Sequence, residues 1–457
     1  MSSRTVSTAA GDGTAAFRDD TAASARFNWP TDVVVDAKGD LYIADSRNSR
    51  VRKLSGDRVS TAAGPPTDVG DAAGYVDGPA ALARFDYPCG MAIDAKGDLY
   101  IADYTNHRIR KLSEGYVSTV AGSGTPGFKD GPAASARFNW PRDVAVDAEG
   151  NVYVADSANH RVRMISPTGD VSTAAGPLAD VADASGCVDG AAASARFNSP
   201  YGVAVDADRT VYVADFLNHR VRTISAQRQV STPAGPPAED GTLRGCVDGP
   251  GPSARFDGPF GIAVDRDGNV YVADFYNNRV RMVSRAQVFT VAGPPAGKDS
   301  ARGWVDGPAA SARFNYPKGV APDGKGRLYV ADCENNRVRM VSGSATARFL
   351  VVPEGDDDAR CAFANTEFLP RLKVVALDEE SGPVPYVEVT FTVHGTSIAT
   401  AAFPNNRSSC TALTDPDGIA TAEALTAGPV PTDRGLKVEA SAPDKASFVF
   451  HLSVKQK

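Results

Sequence analysis

Apolar residues along this chain fall in short runs of β-branched and aromatic positions, cut by turns that contain Gly and Asp. One unit reads Val33-Val34-Val35-Asp36, a turn Ala37-Lys38-Gly39-Asp40, and then Leu41-Tyr42-Ile43-Ala44-Asp45. A short loop with Asn48 follows, then Val51-Arg52-Lys53-Leu54 and Val59-Ser60-Thr61-Ala62-Ala63-Gly64. The pattern predicts four short strands. The unit recurs behind an Ala-Arg-Phe landmark whose Phe stands at 27, 85, 138, 197, 256 and 314, with gaps of 58, 53, 59, 59 and 58. A four-stranded unit repeated six times predicts an all-β, six-bladed propeller. A single blade cannot bury both faces, so neighbours must stack and the ring must close.

The repeats also suggest where the ring is cut. The fourth strand has six copies, but the first, Val6-Ser7-Thr8-Ala9-Ala10-Gly11, precedes the first repeat and none follows Val341. Residues 4–11 are therefore expected to pair with Val338–Val341 and complete the last blade. On this reading residues 1–343 are the propeller, 344–369 a linker around Pro353–Asp358, and 370–457 a β-sandwich. The tail runs Leu372–Asp378, Val384–Val393, Leu436–Ser441 and Phe448–Val454 have strand-like spacing.

Pro200–Asp206 with Val211–Val221, and Pro259–Asp265 with Val270–Val280, resemble the NHL repeat. Departures are Ser49, Asn278 and Asn336 where that family often has His, and Ala321-Pro322-Asp323 in the sixth copy. The resemblance implies a fold more than an activity. NHL propellers serve as RNA-binding modules, protein-interaction platforms, sensor domains and, in one branch, a zinc-dependent amidating lyase. The tail segments Pro383–Val393 and Thr414–Ala422 are similar to invasin-type bacterial Ig-like domains.

Charge narrows the options. Residues 1–345 carry 38 Lys+Arg against 40 Asp+Glu and the remainder 10 against 15, so the net charge of -7 sits mostly in the tail. A near-neutral main body speaks against nucleic-acid binding by bulk charge. No run approaches the ~18 apolar residues of a membrane span. The start, Met-Ser-Ser-Arg-Thr-Val, has no secretory apolar core and suggests a cytosolic protein, a trimmed chain or a fragment, whereas the Ig-like tail favours the cell surface or extracellular space. The six cysteines form no CxxC pair, which gives no metal framework, and no cofactor is expected. Cys187 and Cys246 occupy a slot held elsewhere by Phe17, Tyr75, Phe128 and Trp304 and read as apolar fillers; Cys361 with Cys410 is the better disulfide candidate. Asn406-Arg407-Ser408 is a chance-level glycosylation sequon.

Residues present in every blade read as construction. Asp36 and its equivalents precede hairpin turns, Asp45 and its equivalents end the second strand, and Arg50 and its equivalents begin the third, within reach of such an Asp. His107, His160 and His219 share one repeat position, so their side chains are expected to splay around the rim. Positions that vary between uniform blades are the informative ones. Before the recurrent Pro stand Trp29, Tyr87, Trp140, Ser199, Gly258 and Tyr316; after it stand Thr31, Cys89, Arg142, Tyr201, Phe260 and Lys318. The second-to-third loops add Tyr104, Phe216, Phe275 and Tyr276. The expected binding set is Trp29, Tyr87, Trp140, Arg142, Tyr201, Phe216, Phe260, Phe275, Tyr316 and Lys318, an aromatic rim with charges around a channel mouth. This favours a non-enzymatic module for a protein, peptide or glycan. The alternative is a metal-dependent lyase or lactonase-like hydrolase, which needs unlike ligands converging from different blades; the repeat shows no such set.

Overall fold

Alternating apolar runs become strands where the sequence places them. The computed structural model describes residues 4–67, 72–181, 184–237, 243–295 and 302–342 and, beyond these, only the strands between Phe349 and Lys455. In the first blade, strand a is Pro30–Val35, b is Leu41–Asp45, c is Arg50–Ser55 and d is Arg58–Ala63. They pair antiparallel in sequence order, with Val33 opposite Ile43, Ile43 opposite Arg52, and Arg52 opposite Thr61. Six such sheets are present. Each is five-stranded rather than four-stranded, because a two-residue strand such as Asp20–Thr21 or Gly78–Pro79 adds outside d. Two residues are too few to show alternation in sequence. Pro at this edge, as at 79, 132, 250 and 308, has no N–H to offer and discourages pairing with another chain. Among the described residues no helix is long and apolar enough to cross a membrane.

In the sixth sheet the strand outside Arg337–Ser342 is Thr5–Ala10, with Thr5 opposite Ser342, Val6 opposite Val341 and Ala10 opposite Val338. Ala10, Ala321, Tyr329 and Val338 pack against Phe27, Val33, Leu41 and Ile43 of the first blade. Equivalent seams join the other blades, as where Tyr153 and Val162 meet Phe197 and Val213. All six landmark Phe rings are fully buried in such seams, and each stabilises the fold by about 1.5–3 kcal/mol.

The largest buried side chains, however, are arginines: Arg52, Arg110, Arg163, Arg222, Arg281 and Arg339 are buried in the strand c of each blade. Each guanidinium lies 4.9–5.3 Å from the centroid of its blade's landmark Phe. In blade one, Nη1 donates to Asp45 at 2.7 Å and to the Arg26 carbonyl at 3.0 Å; Nη2 donates to the Arg18 carbonyl at 2.8 Å and to Asp19; Nε donates to Asp19 at 3.0 Å. All five donors are used. Asp45 in turn accepts the Asn28 N–H at 2.7 Å and the Asn48 amide at 2.8 Å, and Asp19 accepts the Thr61 N–H at 3.0 Å. The pair with the strand-b Asp spans 2.7–2.9 Å in every blade, with both side chains fully buried. Burial alone raises the strand-b carboxyls, Asp103 and Asp332 to about 6, and the adjacent guanidinium opposes that shift.

This corrects one expectation. The Arg that meets the strand-b Asp is the third residue of strand c, not the first. Arg50 instead donates to the carbonyls of Pro65 and Thr67, both at 2.7 Å, and lies 4.0 Å from the Phe17 ring centroid. Arg108, Arg161 and Arg337 likewise lie over Tyr75, Phe128 and Trp304 at 3.8–3.9 Å. Cys187 and Cys246, in the equivalent slot, are free thiols. The turn Asp residues do what was expected of them: Asp36 accepts the N–H groups of Lys38 and Asp40 at 2.9 Å.

Gly343–Lys457 forms a second compact unit with the first four residues. It too is all-β. A five-stranded sheet runs Ala359–Phe363, Ser447–Lys455, Thr432–Ser441, Glu388–His394 and Ser409–Leu413, and a three-stranded one Phe349–Val351, Lys373–Leu377 and Ile419–Thr421. Phe391 and Ala440, paired across two of these strands, are fully buried. Phe349–Val351 and Ala359–Phe363 fall within the stretch expected to be a linker, so part of it is sheet. The sequon Asn406-Arg407-Ser408 lies outside the described residues, as do the side chains of Cys361 and Cys410.

Removing one partner from the arginine network strands a buried charge. Arg222→Met is expected to lower the unfolding free energy by about 3–5 kcal/mol, and Arg222→Lys by a similar amount because an ammonium cannot supply five planar donors. Urea unfolding followed by circular dichroism checks this; a loss below ~1 kcal/mol contradicts it.

Candidate functional site

The same network sets the rim of the channel. In every blade the strand-b Asp accepts, at 2.7–2.8 Å, the N–H of the residue just after the landmark Phe. The next residue is the rim position, and it is left-handed in all six: Trp29 (φ 55), Tyr87 (57), Trp140 (53), Ser199 (50), Gly258 (64) and Tyr316 (54). A bulky side chain rarely adopts that conformation. In five of the six it is held from the neighbouring blade. Nδ1 of His107 accepts the Trp140 N–H at 3.2 Å, His160 that of Ser199 at 3.0 Å, and His219 that of Gly258 at 3.1 Å. Asn336 and Asn278 offer an amide oxygen to Trp29 and Tyr316 at 3.1 and 2.9 Å. The three histidines are thus inter-blade ties, and Asn replaces them because it carries an acceptor at matching reach. Burial lowers the pKa of His107 and His219, favouring the neutral ring that accepts.

Held in this way, the predicted residues gather into a belt. Tyr201 stacks on Phe216 at 4.0 Å between centroids, Phe275 stacks on Tyr316 at 4.5 Å, and Phe260 meets Tyr201 edge-on at 5.0 Å. On the other side Tyr104 lies between Tyr87 at 5.7 Å and Trp140 at 5.8 Å. Gly258 is required where it stands: a Cβ there would sit 2.7 Å from Tyr276 and 2.8 Å from Phe216. The rings of the b–c loops thus fill the place of the aromatic that blade five lacks.

Cations close the belt. Arg142 lies 3.9 Å from the Tyr201 ring centroid and 4.7 Å from that of Tyr104, whose hydroxyl it reaches at 3.2 Å. Lys318 sits 4.6 Å from Trp29 and 5.3 Å from Phe260, and Arg47 covers Trp29 at 3.3 Å. Cation–π contacts of this kind contribute about 0.5–2 kcal/mol each. Among the described residues no carboxylate lies within ion-pair distance of Arg47, Arg142 or Lys318.

The residues do not all face solvent. Trp140 is 48% exposed and Tyr276 44%, whereas Phe216, Phe260 and Lys318 are buried. Those three make the floor. Thr31, Cys89, Phe260 and Lys318 plug the channel, leaving a recess of about 10 Å³ lined by Arg142, Asp143, Tyr201 and Phe260. The mouth is therefore a shallow aromatic surface over a plugged channel. Below the plug a lumen of about 230 Å³ runs between the a strands. It continues toward a wider opening of about 620 Å³ among the a–b turns, near Asp36, Arg266 and Lys325.

Two residues escaped the sequence reading. Where blades two, four, five and six have Gly after the plug residue, blades one and three have Asp32 and Asp143. Both line the recess and the lumen. Asp32 accepts the Met91 N–H at 2.7 Å, and Asp143 accepts those of Val144 and Val203 at 2.8 and 2.9 Å. The Gly of the adjacent blade makes room: a Cβ on Gly90 would fall 2.0 Å from Asp143, and one on Gly319 2.3 Å from Asp32. Burial pushes the Asp32 carboxyl up to about 7, and burial together with the Asp32 charge raises Asp143 well above the usual carboxylate range. An Asp in a glycine slot was the available signal.

The sequence profile of the NHL repeat matches residues 27–54, 85–112, 138–163, 197–224, 256–281 and 314–339. Chicken (Gallus gallus) NHL repeat-containing protein 2 is 29% identical over 68% of this chain and 46% of its own length. Teneurin-3 of Mus musculus is 30% identical over 59% of this chain but 11% of its own, and SUPPRESSOR OF QUENCHING 1 of Arabidopsis thaliana 35% over 28% and 13%. The chain thus spans about half or less of these relatives. Among solved structures, a protein of unknown function from Bacteroides thetaiotaomicron aligns with a TM-score of 0.56 at 20% identity, covering 74% of this chain and 76% of that one. An auxiliary nutrient binding protein from the same organism aligns with 0.54 at 15%, covering 75% and 77%. At such identity these likenesses show the fold alone. Each matched segment begins at a landmark Phe and runs through strands a and b into strand c of one blade, so the chain carries six NHL repeats built into a six-bladed propeller.

Proposed function

We propose that the propeller is a non-enzymatic binding or scaffold module whose recognition surface is the belted mouth. One observation carries this reading: the aromatic and cationic positions that break the sixfold repeat converge on one face, and part of each cluster stays exposed. Large aromatics with cations seated on their faces suit a protein, peptide or glycan. The strand Thr5–Ala10 closes the ring and keeps that face in one shape. The second unit, read as an Ig-like sandwich, serves as spacer or attachment module, and the pair works at a cell surface or outside the cell.

Asp32 and Asp143 favour a second reading, hydrolase or lyase chemistry in the channel, because they are unlike the repeat and come from different blades. They supply two carboxyl donors; among the described residues no three His, Cys, Asp or Glu side chains cluster as a metal-ion ligand set. Elemental analysis of the full chain is expected to find no stoichiometric metal, and a bound ion would reverse the preference. Their titration has a definite sign. The native Asp32 holds its proton up to about 7, whereas the unfolded carboxyl releases it near ~4. Stability from this group is thus full below ~4 and lost as the pH rises to about 7. Asp32→Asn is expected to flatten the fall in melting temperature across that window.

Full-chain protein on peptide and glycan arrays tests the main reading. Trp140→Ala is expected to abolish capture while leaving the melting temperature within a few degrees, whereas Phe216→Ala lowers stability by about 3–5 kcal/mol. Capture unaffected by Trp140→Ala sinks the proposal. Deleting residues 1–11 is expected to lower the melting temperature and broaden the transition; an unchanged melt contradicts closure by that strand.

A further inference from the structure

The belt contains a donor with no partner. Arg142 Nε is buried and has no hydrogen-bond acceptor, although a buried guanidinium ordinarily satisfies its donors. Its one side-chain hydrogen bond goes to the Tyr104 hydroxyl at 3.2 Å, and the Tyr104 and Tyr201 rings hold its plane at 4.7 and 3.9 Å. The contrast with the blade arginines is sharp. Arg52 and its equivalents use their donors on carboxylates and carbonyls of their own blade, whereas Arg142 is held just as firmly and left without an anion.

Resting on the mouth as the recognition surface, we propose that Arg142 anchors a carboxylate of an acidic peptide ligand, an Asp or Glu side chain dipping into the recess beneath Tyr201. Three features fix the class. Arg142, Lys318 and Arg47 leave the mouth with cations that no carboxylate of the described residues pairs. Asp32 and Asp143, the acids that line the same recess, already accept backbone N–H groups, and burial shifts both carboxyls toward the neutral form, which lessens their repulsion of an entering anion. The recess of about 10 Å³ has room for about one water-sized group. One oxygen of a side-chain carboxylate enters it while the rest of the carboxyl stays at the mouth; a pyranose ring does not enter. The planar guanidinium then donates Nε–H to one carboxylate oxygen, in a direction fixed by its seat on the Tyr rings that a Lys ammonium does not reproduce.

The test uses full-chain protein and two fluorescein-labelled hexapeptides, Glu-Glu-Tyr-Glu-Glu-Tyr and its Gln-for-Glu counterpart, read by fluorescence anisotropy. The Glu peptide is expected to bind at least about tenfold more tightly than the Gln peptide, and Arg142→Ala to weaken it about 10–100-fold. Arg142→Lys is expected to recover only part of the loss, which guards against a folding defect in the alanine variant. Arg266→Ala, which removes the same charge at the opposite opening of the channel, leaves binding unchanged. Equal binding of the two peptides, each weakened by Trp140→Ala, keeps the mouth as binding surface and overturns the carboxylate anchor. Equal losses from Arg142→Ala and Arg266→Ala overturn it in favour of bulk charge. Binding of neither peptide, or tighter binding of labelled oligouridine that Arg142→Ala abolishes, overturns the peptide class.

Discussion

The buried pair between the third residue of strand c and the last residue of strand b governs this propeller. A guanidinium and a carboxylate without access to water are costly unless every donor and acceptor is met, and here all five donors of Arg52 are used. Meeting them fixes four pieces of chain at once: strand c, the end of strand b, the b–c turn through Asn48, and the d–a loop through Asn28, Arg26 and Asp19. The blade therefore has one arrangement. The loop that reaches the channel is held by the same carboxylate that holds the core.

That coupling explains how a repetitive scaffold carries an irregular face. The residue after the landmark Phe is pinned by its N–H, and the following one is left-handed and, in five of the six blades, tied to the neighbouring blade by a His or Asn acceptor. Backbone contacts do this work, so the rim side chains are free to differ. Trp29, Tyr87, Trp140 and Tyr316 use that freedom to carry rings, and blade five gives it up at Gly258 so that Phe216 and Tyr276 can fill the space. Arg142 and Lys318 sit on the resulting ring faces, and Asp32 and Asp143 occupy room left by glycines of adjacent blades. Mouth and plug form one layered unit.

Periodicity made the blades legible. The a to d strands, the hairpin Asp residues and the gathering of aromatics on one face all follow from alternation and from comparing equivalent positions. What was hidden depended on distance across the sheet. The two Arg of Arg-Val-Arg lie on one face of strand c and are both buried in blade one; which of them meets the strand-b Asp is set by where each guanidinium ends across the sheet, which the sequence does not show. The outermost strand, only two residues long, has no pattern to read. Asp32 and Asp143 were visible as departures from glycine, yet their chemistry comes from the lumen they line, which no single repeat contains. Nor does the identity of Phe216, Phe260 and Lys318 tell that neighbouring rings bury them.

Scaffold and recognition surface are, on this account, adjacent but distinct layers of one ring. Hydrogen–deuterium exchange of the full chain, with and without a ligand captured on the arrays, measures that separation directly. The account predicts added protection confined to the rim segments around Trp29, Tyr87, Trp140, Tyr201, Gly258 and Tyr316 and to the b–c turns beside them. Protection appearing instead at the a–b turns around Asp36 and Asp265, or along the outer edge strands, would contradict it.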